Sequence, residues 1–322
     1  MDAPHSTEHA EKPFHKIRHI VLSGGSIYGF TIYGILKELN QKRFWLIEDI
    51  ESIYAISVGC MDAVIMALNI EWELTHKYLC ERPLTDVANI DFFTVMNSFE
   101  TGGLLGIRAF EIFFENLFAA KDIRVDITMK EFYELNKIDL HFYTTRVNGM
   151  VLVDVSHKTH PDWRVVEAVY SSCSIPFIFQ PFFKDGEYYC DGGCILNHPI
   201  KLCLLNDIPP SEILSVSLRS YREEHPAGSL ELNLLRYVIM LIDNVIKKLS
   251  AHFVQSLSVS IENEIENQLF VEVLREDIFK FSLLYSSEKR KELVEQGVQI
   301  AATFLKERAQ KSGDYNATEN IN

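Results

Sequence analysis

Ser57 lies in "YAISVGC", where an apolar run ends on a hydroxyl and a second apolar run begins after Gly59. A serine on a sharp strand-to-helix turn has its Oγ held up and exposed. The helix that follows offers unpaired N–H groups and a positive dipole end. Both favour loss of the hydroxyl proton. Gly59 permits the kink, while Ala55 stands where a G-x-S-x-G elbow carries its first glycine. The competing reading is a hydroxyl without a role between two buried elements.

Two further stretches carry chemistry. "SGGSIYG", Ser23 to Gly29, closes one apolar run and opens an amphipathic one. Glycines at such a turn let backbone amides point at an anion. That suits either a dinucleotide phosphate or the oxyanion of an ester becoming tetrahedral. A dinucleotide site prefers G-x-G-x-x-G with an acidic residue ending the next strand; here Ser26 takes the second glycine position, and Glu48 and Asp49 precede that strand. In "CDGGCILNHP", Asp191 ends an apolar run ahead of two glycines. A carboxylate fixed there can accept a serine proton, although Asp-Gly is also a common turn. His198 follows closely, and the order Ser, Asp, His is that of an α/β-hydrolase triad. Its place beside Pro199 in a turn argues against that role. His141, His157 and His160 read as surface or turn residues.

The elements that must position these groups follow from periodicity. Residues 18–22 form a short apolar strand. Phe30, Tyr33, Ile35, Leu36 and Leu39 then recur at helical spacing. "IESIYAIS" and "VGCMDAVIMALNI" repeat the unit. Consecutive strand-turn-helix units imply a mostly parallel sheet covered by helices. Residues 71–135 read as helical, with the apolar segment at 101–120 a cap over a pocket or plain core. Asn148-Gly149 marks a hairpin between two strands. "WRVVEAVYSSC" is a helix stopped by Pro176. "EYYCDGG", "SEILSVSLRS" and "LFVEVLR" are strands. Leu234, Val238, Leu241, Ile242, Val245 and Leu249 stripe a long helix that reads as core rather than membrane surface, because its polar face is mixed in sign. A closing helix follows. The expected organisation is a polar lead over 1–16, one domain over 17–310 and a tail over 311–322.

The 322 residues are 47% hydrophobic with 21 Phe and 13 Tyr, enough for a substantial core. A net charge of −14 gives no electrostatic reason to hold nucleic acid. The six cysteines form no CxxC pair, and no His or Cys pair completes a tetrahedral metal set around Cys190 and Cys194. They read as small buried residues in a reducing compartment. No metal or other cofactor is expected. The polar N-terminus lacks the apolar stretch of a signal peptide, and no run of about 18 apolar residues predicts a membrane span. A cytoplasmic location, or one peripheral to intracellular membranes, is the corresponding expectation.

Between about His19 and Cys203 the chain resembles the patatin-like phospholipases. The likeness rests on the glycine-rich turn and its helix (Ser23–Leu39), the serine turn (Ala55–Gly59), "EAVYSSCSIPFIFQPF" (Glu167–Phe182) and "DGEYYCDGGCILNHP" (Asp185–Pro199). The resemblance implies a three-layer α/β fold with a mostly parallel central sheet and helices on both faces. It also implies a lipid substrate met at a membrane or micelle surface. Ester-linked fatty acids are cleaved in that family by a serine–aspartate dyad through an acyl-enzyme. Matched by motif, Ser57 corresponds to the nucleophile, Asp191 to the general base, and Gly24, Gly25 and Ser26 to the oxyanion turn. The chain departs from the pattern at Ser26, where the family carries a third glycine, at Tyr28, where it carries Lys or Arg, and at Ala55. These departures keep a second expectation open: a weakly active or inactive lipid-binding module on the same scaffold.

Overall fold

The computed structural model describes residues 16–84, 92–221, 234–257, 265–274 and 280–312. In chain order the elements are β1 (His19–Leu22), α1 (Gly29–Gln41), β2 (Ser52–Ile56), α2 (Val58–Leu68), α3 (Trp72–Glu81), α4 (Phe92–Thr101), β3 (Gly103–Leu105), α5 (Arg108–Ala119), α6 (Met129–Asn136), β4 (Asp139–Arg146) and β5 (Val151–Val155). There follow α7 (Val165–Cys173), β6 (Phe177–Phe179), β7 (Phe182–Lys184), β8 (Glu187–Asp191), α8 (Ile200–Leu204), β9 (Ile213–Tyr221), α9 (Leu234–Ser256), β10 (Gln268–Leu274) and α10 (Ser287–Ser312).

Five strands run parallel in the order β10-β9-β1-β2-β4. Every residue of β1 and β2 is buried, as near-continuous apolar runs in a sheet covered on both faces require. Successive side chains alternate between two cores. Ile20, Leu22, Ile53, Ala55 and Phe142 face the larger one, shared with α1, α2, α5, α7 and α10. Val21, Tyr54, Ile56 and Tyr143 face the smaller one, closed by Ile200 and Cys203 of α8 and by Phe253 and Val254 of α9. The result is helix, sheet, helix. α1 crosses α10 at close range: a Cβ at Gly34 would stand 2.1 Å from the Val294 carbonyl oxygen, and one at Gly297 2.1 Å from that of Thr31.

The pairing around β4 positions the site. Its first half pairs in parallel with β2, ending at Ile56 opposite Tyr143. Its next residue, Thr144, pairs with Asp191 of the antiparallel β8. The same two β4 residues pair with Asp154 and Val153 of β5, so β5 holds the opposite edge. β2 and β8 therefore lie end to end along one edge of β4. Asp191 meets Ser57 from an antiparallel strand, not from the C-terminal end of another parallel one.

Other expectations are corrected. The helical reading of 71–135 is interrupted by β3, which pairs in parallel with β6 in a separate two-stranded sheet. β6 and β7, three residues each, follow Pro176 where the sequence signalled only the end of a helix. Val245 is 56% exposed, so the α9 stripe does not continue as core there. The side chains of Leu234, Val238, Leu241 and Ile242 lie outside the described residues, as do the polar lead through residue 15 and the tail from residue 313. The helix α10 runs on through residue 312, beyond the expected start of the tail. His141 is neither a surface nor a turn residue: it lies in β4 with its side chain 13% exposed between Asp139 and Asp154. His157 does lie in a turn, after β5, with its side chain also 13% exposed against Asp139.

Candidate active site

β2 hands the chain to α2 through Ser57, the N-cap of the helix, at φ 54° and ψ −130°. A non-glycine residue holds such a conformation only where its surroundings enforce it. Here Ser57 N–H donates to Ser172 Oγ at 2.9 Å, and Ser172 donates to the Tyr143 carbonyl at 2.6 Å. The turn also needs Gly59, since a Cβ there would stand 2.8 Å from the Ser23 carbonyl oxygen. Ser172 belongs to the fully buried C-terminal part of α7. The sequence carried its signal as a pair of hydroxyls closing an apolar helix, but no role was assigned to it.

Asp191 is fixed as firmly. Its N–H donates to the Ser174 carbonyl at 2.9 Å, and its carbonyl accepts from Thr145 Oγ1 at 3.0 Å. In the side chain, Oδ1 accepts the Gly193 N–H at 2.7 Å, while Oδ2 is buried without a full hydrogen bond. Burial pushes the carboxyl up to about 6, against the nearby Ser57 hydroxyl and the Gly193 N–H, which both favour the charged form. Along β4, Tyr143 and Thr144 are one residue apart, a step of about 3.3 Å. The hydroxyl and the carboxylate are thus neighbours at the junction of β2 and β8.

The glycine-rich turn passes over the same junction. A Cβ at Gly24 would stand 3.1 Å from Ser57 Cβ and 2.6 Å from Asn197 Oδ1. The Gly24 N–H donates to the Asn197 carbonyl at 3.0 Å, and Asn197 Nδ2 donates back to the Gly24 carbonyl at 3.2 Å. Gly24 is therefore not a free donor, contrary to the sequence expectation. The N–H groups of Gly25 and Ser26 have no acceptor among the described residues. They open a 3-10 turn, Ser26–Tyr28, that leads directly into α1, at the positive end of its dipole. Ser26 is at φ 51°, and its Oγ is buried without a partner. Tyr28, at the position where a cation was absent from the motif, is buried.

Ser26 and Ser57 border a cavity of about 270 Å³ whose wall is otherwise largely apolar, including Phe30, Met61, Ile65, Leu105, Phe110 and Phe113. Two of these, Phe110 and Phe113, come from α5, within the segment read as a cap or plain core. His198 takes no part. It is half-buried, its Nε2 is 3.0 Å from Ser215 Oγ, and desolvation pushes it down to about 4. His252 is exposed on α9, and His225 lies outside the described residues. All six cysteines are buried thiols. Among the described residues no cluster of three or more His, Cys, Asp or Glu could hold a metal, and no helix is long and apolar enough to cross a membrane.

The chain is 29% identical over 187 residues to the uncharacterized protein R571 of Acanthamoeba polyphaga mimivirus, covering 58% of this chain and 61% of that one. It is 26% identical over 189 residues to the probable lipid hydrolase 463L of Invertebrate iridescent virus 6, covering 58% and 62% respectively. These matches span about three fifths of each viral relative. Among solved structures, VipD from Legionella pneumophila superposes with a TM-score of 0.51 at 17% identity, over 92% of this chain and 68% of that one, a likeness of fold. The family model described as patatin-like phospholipase matches residues 20–204, a span that contains the serine elbow, the glycine-rich turn and Asp191, and the chain accordingly belongs to the patatin-like phospholipase family.

Proposed function

We propose that the protein is a lipid acyl hydrolase of phospholipase A type, with Ser57 as nucleophile and Asp191 as its base. The observation that carries this reading is the strained Ser57 elbow beside a buried carboxylate, opening on an apolar cavity. The Asp191 carboxylate takes the Ser57 proton as Oγ attacks the ester carbonyl carbon. Negative charge develops on the carbonyl oxygen and is met by the Gly25 and Ser26 N–H groups. The intermediate collapses, the carbon–oxygen bond to the alcohol breaks, and Asp191 returns the proton to the leaving alkoxide. Water then attacks the acyl-enzyme, giving its proton to Asp191. Ser57 departs reprotonated, and a fatty acid is released. The apolar cavity suits the acyl chain, and a glycerolipid in a membrane or micelle is the substrate we infer.

The test is fatty-acid release from phospholipid micelles together with labelling by a fluorophosphonate. Wild type is expected to release fatty acid and to label, and Ser57→Ala to do neither. Labelling that persists in Ser57→Ala overturns the assignment. One observation favours the second reading, a weakly active or inactive lipid-binding module: the Gly24 N–H is bound to Asn197, which leaves two backbone donors for the oxyanion. Loss of one oxyanion donor typically lowers kcat about 100- to 1,000-fold. Lipid binding without labelling would favour the module.

A further inference from the structure

The cavity wall contains a carboxylic acid that neither the fold nor the proposed reaction uses. Val58, Met61, Asp62 and Ile65 all line it, the i, i+3, i+4, i+7 pattern of one helix face. Asp62 is only 4% exposed, and its Oδ2 is buried without a hydrogen-bond partner. A buried polar group left unpaired is destabilising, so this position works against the otherwise apolar packing of α2. Asp62 lies five residues beyond Ser57, about 7.5 Å further along the helix axis at the α-helical rise. It therefore faces an acyl chain partway down, away from the scissile carbonyl.

We propose that the cavity accommodates acyl chains carrying a hydroxyl partway along their length, with Asp62 as the hydrogen-bonding partner of that oxygen. This rests on the hydrolase reading of the same site. Burial alone pushes the Asp62 carboxyl well above the usual carboxylate range, which favours its neutral form. A neutral carboxylic acid both donates and accepts a hydrogen bond, as a hydroxyl does. An ammonium group is a poorer fit, because Asp62 is the one acidic residue of the wall, its neutral form is favoured, and a cation there would be stripped of water. A plain methylene chain would bury Asp62 still unpaired.

The experiment compares p-nitrophenyl palmitate with positional isomers of p-nitrophenyl hydroxypalmitate, using the full chain. In wild type one isomer, or two adjacent ones, should exceed palmitate in kcat/KM about tenfold, because a site built around a substrate hydroxyl discriminates against the chain lacking it. The ratio of hydroxylated to plain ester is read within each variant, so a general loss of activity does not move it. Asp62→Leu should bring the ratio to about one. Asp62→Asn, which still donates and accepts, should keep most of it. Wild type showing no preferred isomer, or Asp62→Leu retaining the wild-type ratio, overturns the proposal. A binding arm separates the two ideas: displacement of a fluorescent fatty acid from Ser57→Ala by free hydroxypalmitate or palmitate. If no ester turns over and Ser57 does not label, the hydrolase reading fails, and the binding arm still decides Asp62. Tighter displacement by a hydroxypalmitate supports the proposal, and equal displacement by both acids overturns it.

Discussion

Burial holds the Asp191 carboxyl up at about 6, and this links pH to both catalysis and stability. As a base it must be ionised, so hydrolysis should fall about tenfold per pH unit below about 6. A pH profile of kcat/KM checks this. Stability moves the other way. The folded value lies above the ordinary 3.8, so the native state binds the proton more tightly than the unfolded chain. The group's stabilising contribution is complete below about pH 4 and is lost as pH rises through about 6. Asp191→Asn should therefore abolish hydrolysis yet raise stability at pH 8 by about 1–3 kcal/mol, read by denaturant melts. Ser172 acts one step further from the reaction. In Ser172→Ala the Ser57 N–H loses its acceptor and the Tyr143 carbonyl its donor. We expect about 1–3 kcal/mol of destabilisation. With the elbow displaced, kcat should drop about 10- to 100-fold, and KM should hold, since Ser172 is not part of the cavity wall.

At the scale of elements, the first two strand-helix units were legible because each carries its whole signal locally. An apolar run stops at glycine or serine, and a helical period starts at once. The hairpin at Asn148-Gly149 was legible for the same reason, with Gly149 at φ 83°. What was not legible depends on pairing between distant segments. β3, β6 and β7 are three residues long, too short for a period, and exist through their partners. The meeting of β8 with β2 on β4 is likewise invisible to any local window. Asp62 was concealed differently, as one acid within a strongly apolar run. His141 was misjudged because its partners come from both strands of the hairpin. Burial alone would lower it, but hydrogen bonds to Asp139 and Asp154 outweigh that and carry it up to about 9. The protonated ring therefore stabilises the fold fully below about 6.5, and that contribution is lost as pH rises through about 9. His141→Asn should lower stability at pH 6.5 by roughly 2 kcal/mol, with the gap to wild type closing above about pH 9. Chemical melts at the two pH values measure it.

At the scale of the whole molecule, a net charge of −14 acts on any encounter with a lipid surface. Repulsion from anionic headgroups is long-ranged at low salt and is screened within about 10 Å at 0.1 M ionic strength. Hydrolysis of anionic vesicles should therefore trail that of zwitterionic vesicles at low salt, and the gap should narrow as salt rises. Parallel assays on the two vesicle types across ionic strength decide this. An unchanged gap would mean that a local basic surface, not the overall charge, governs approach.

The end-to-end seating of β2 and β8 on one edge of β4 has a kinetic meaning. Ser57 and Asp191 come from strands separated by most of the first two hundred residues, and no early, local assembly of the N-terminal units can present both. Their union waits for a long loop to close. Regained turnover during refolding thus becomes a natural clock for the registration of β2 and β8 on β4, ticking later than the local rise in helix.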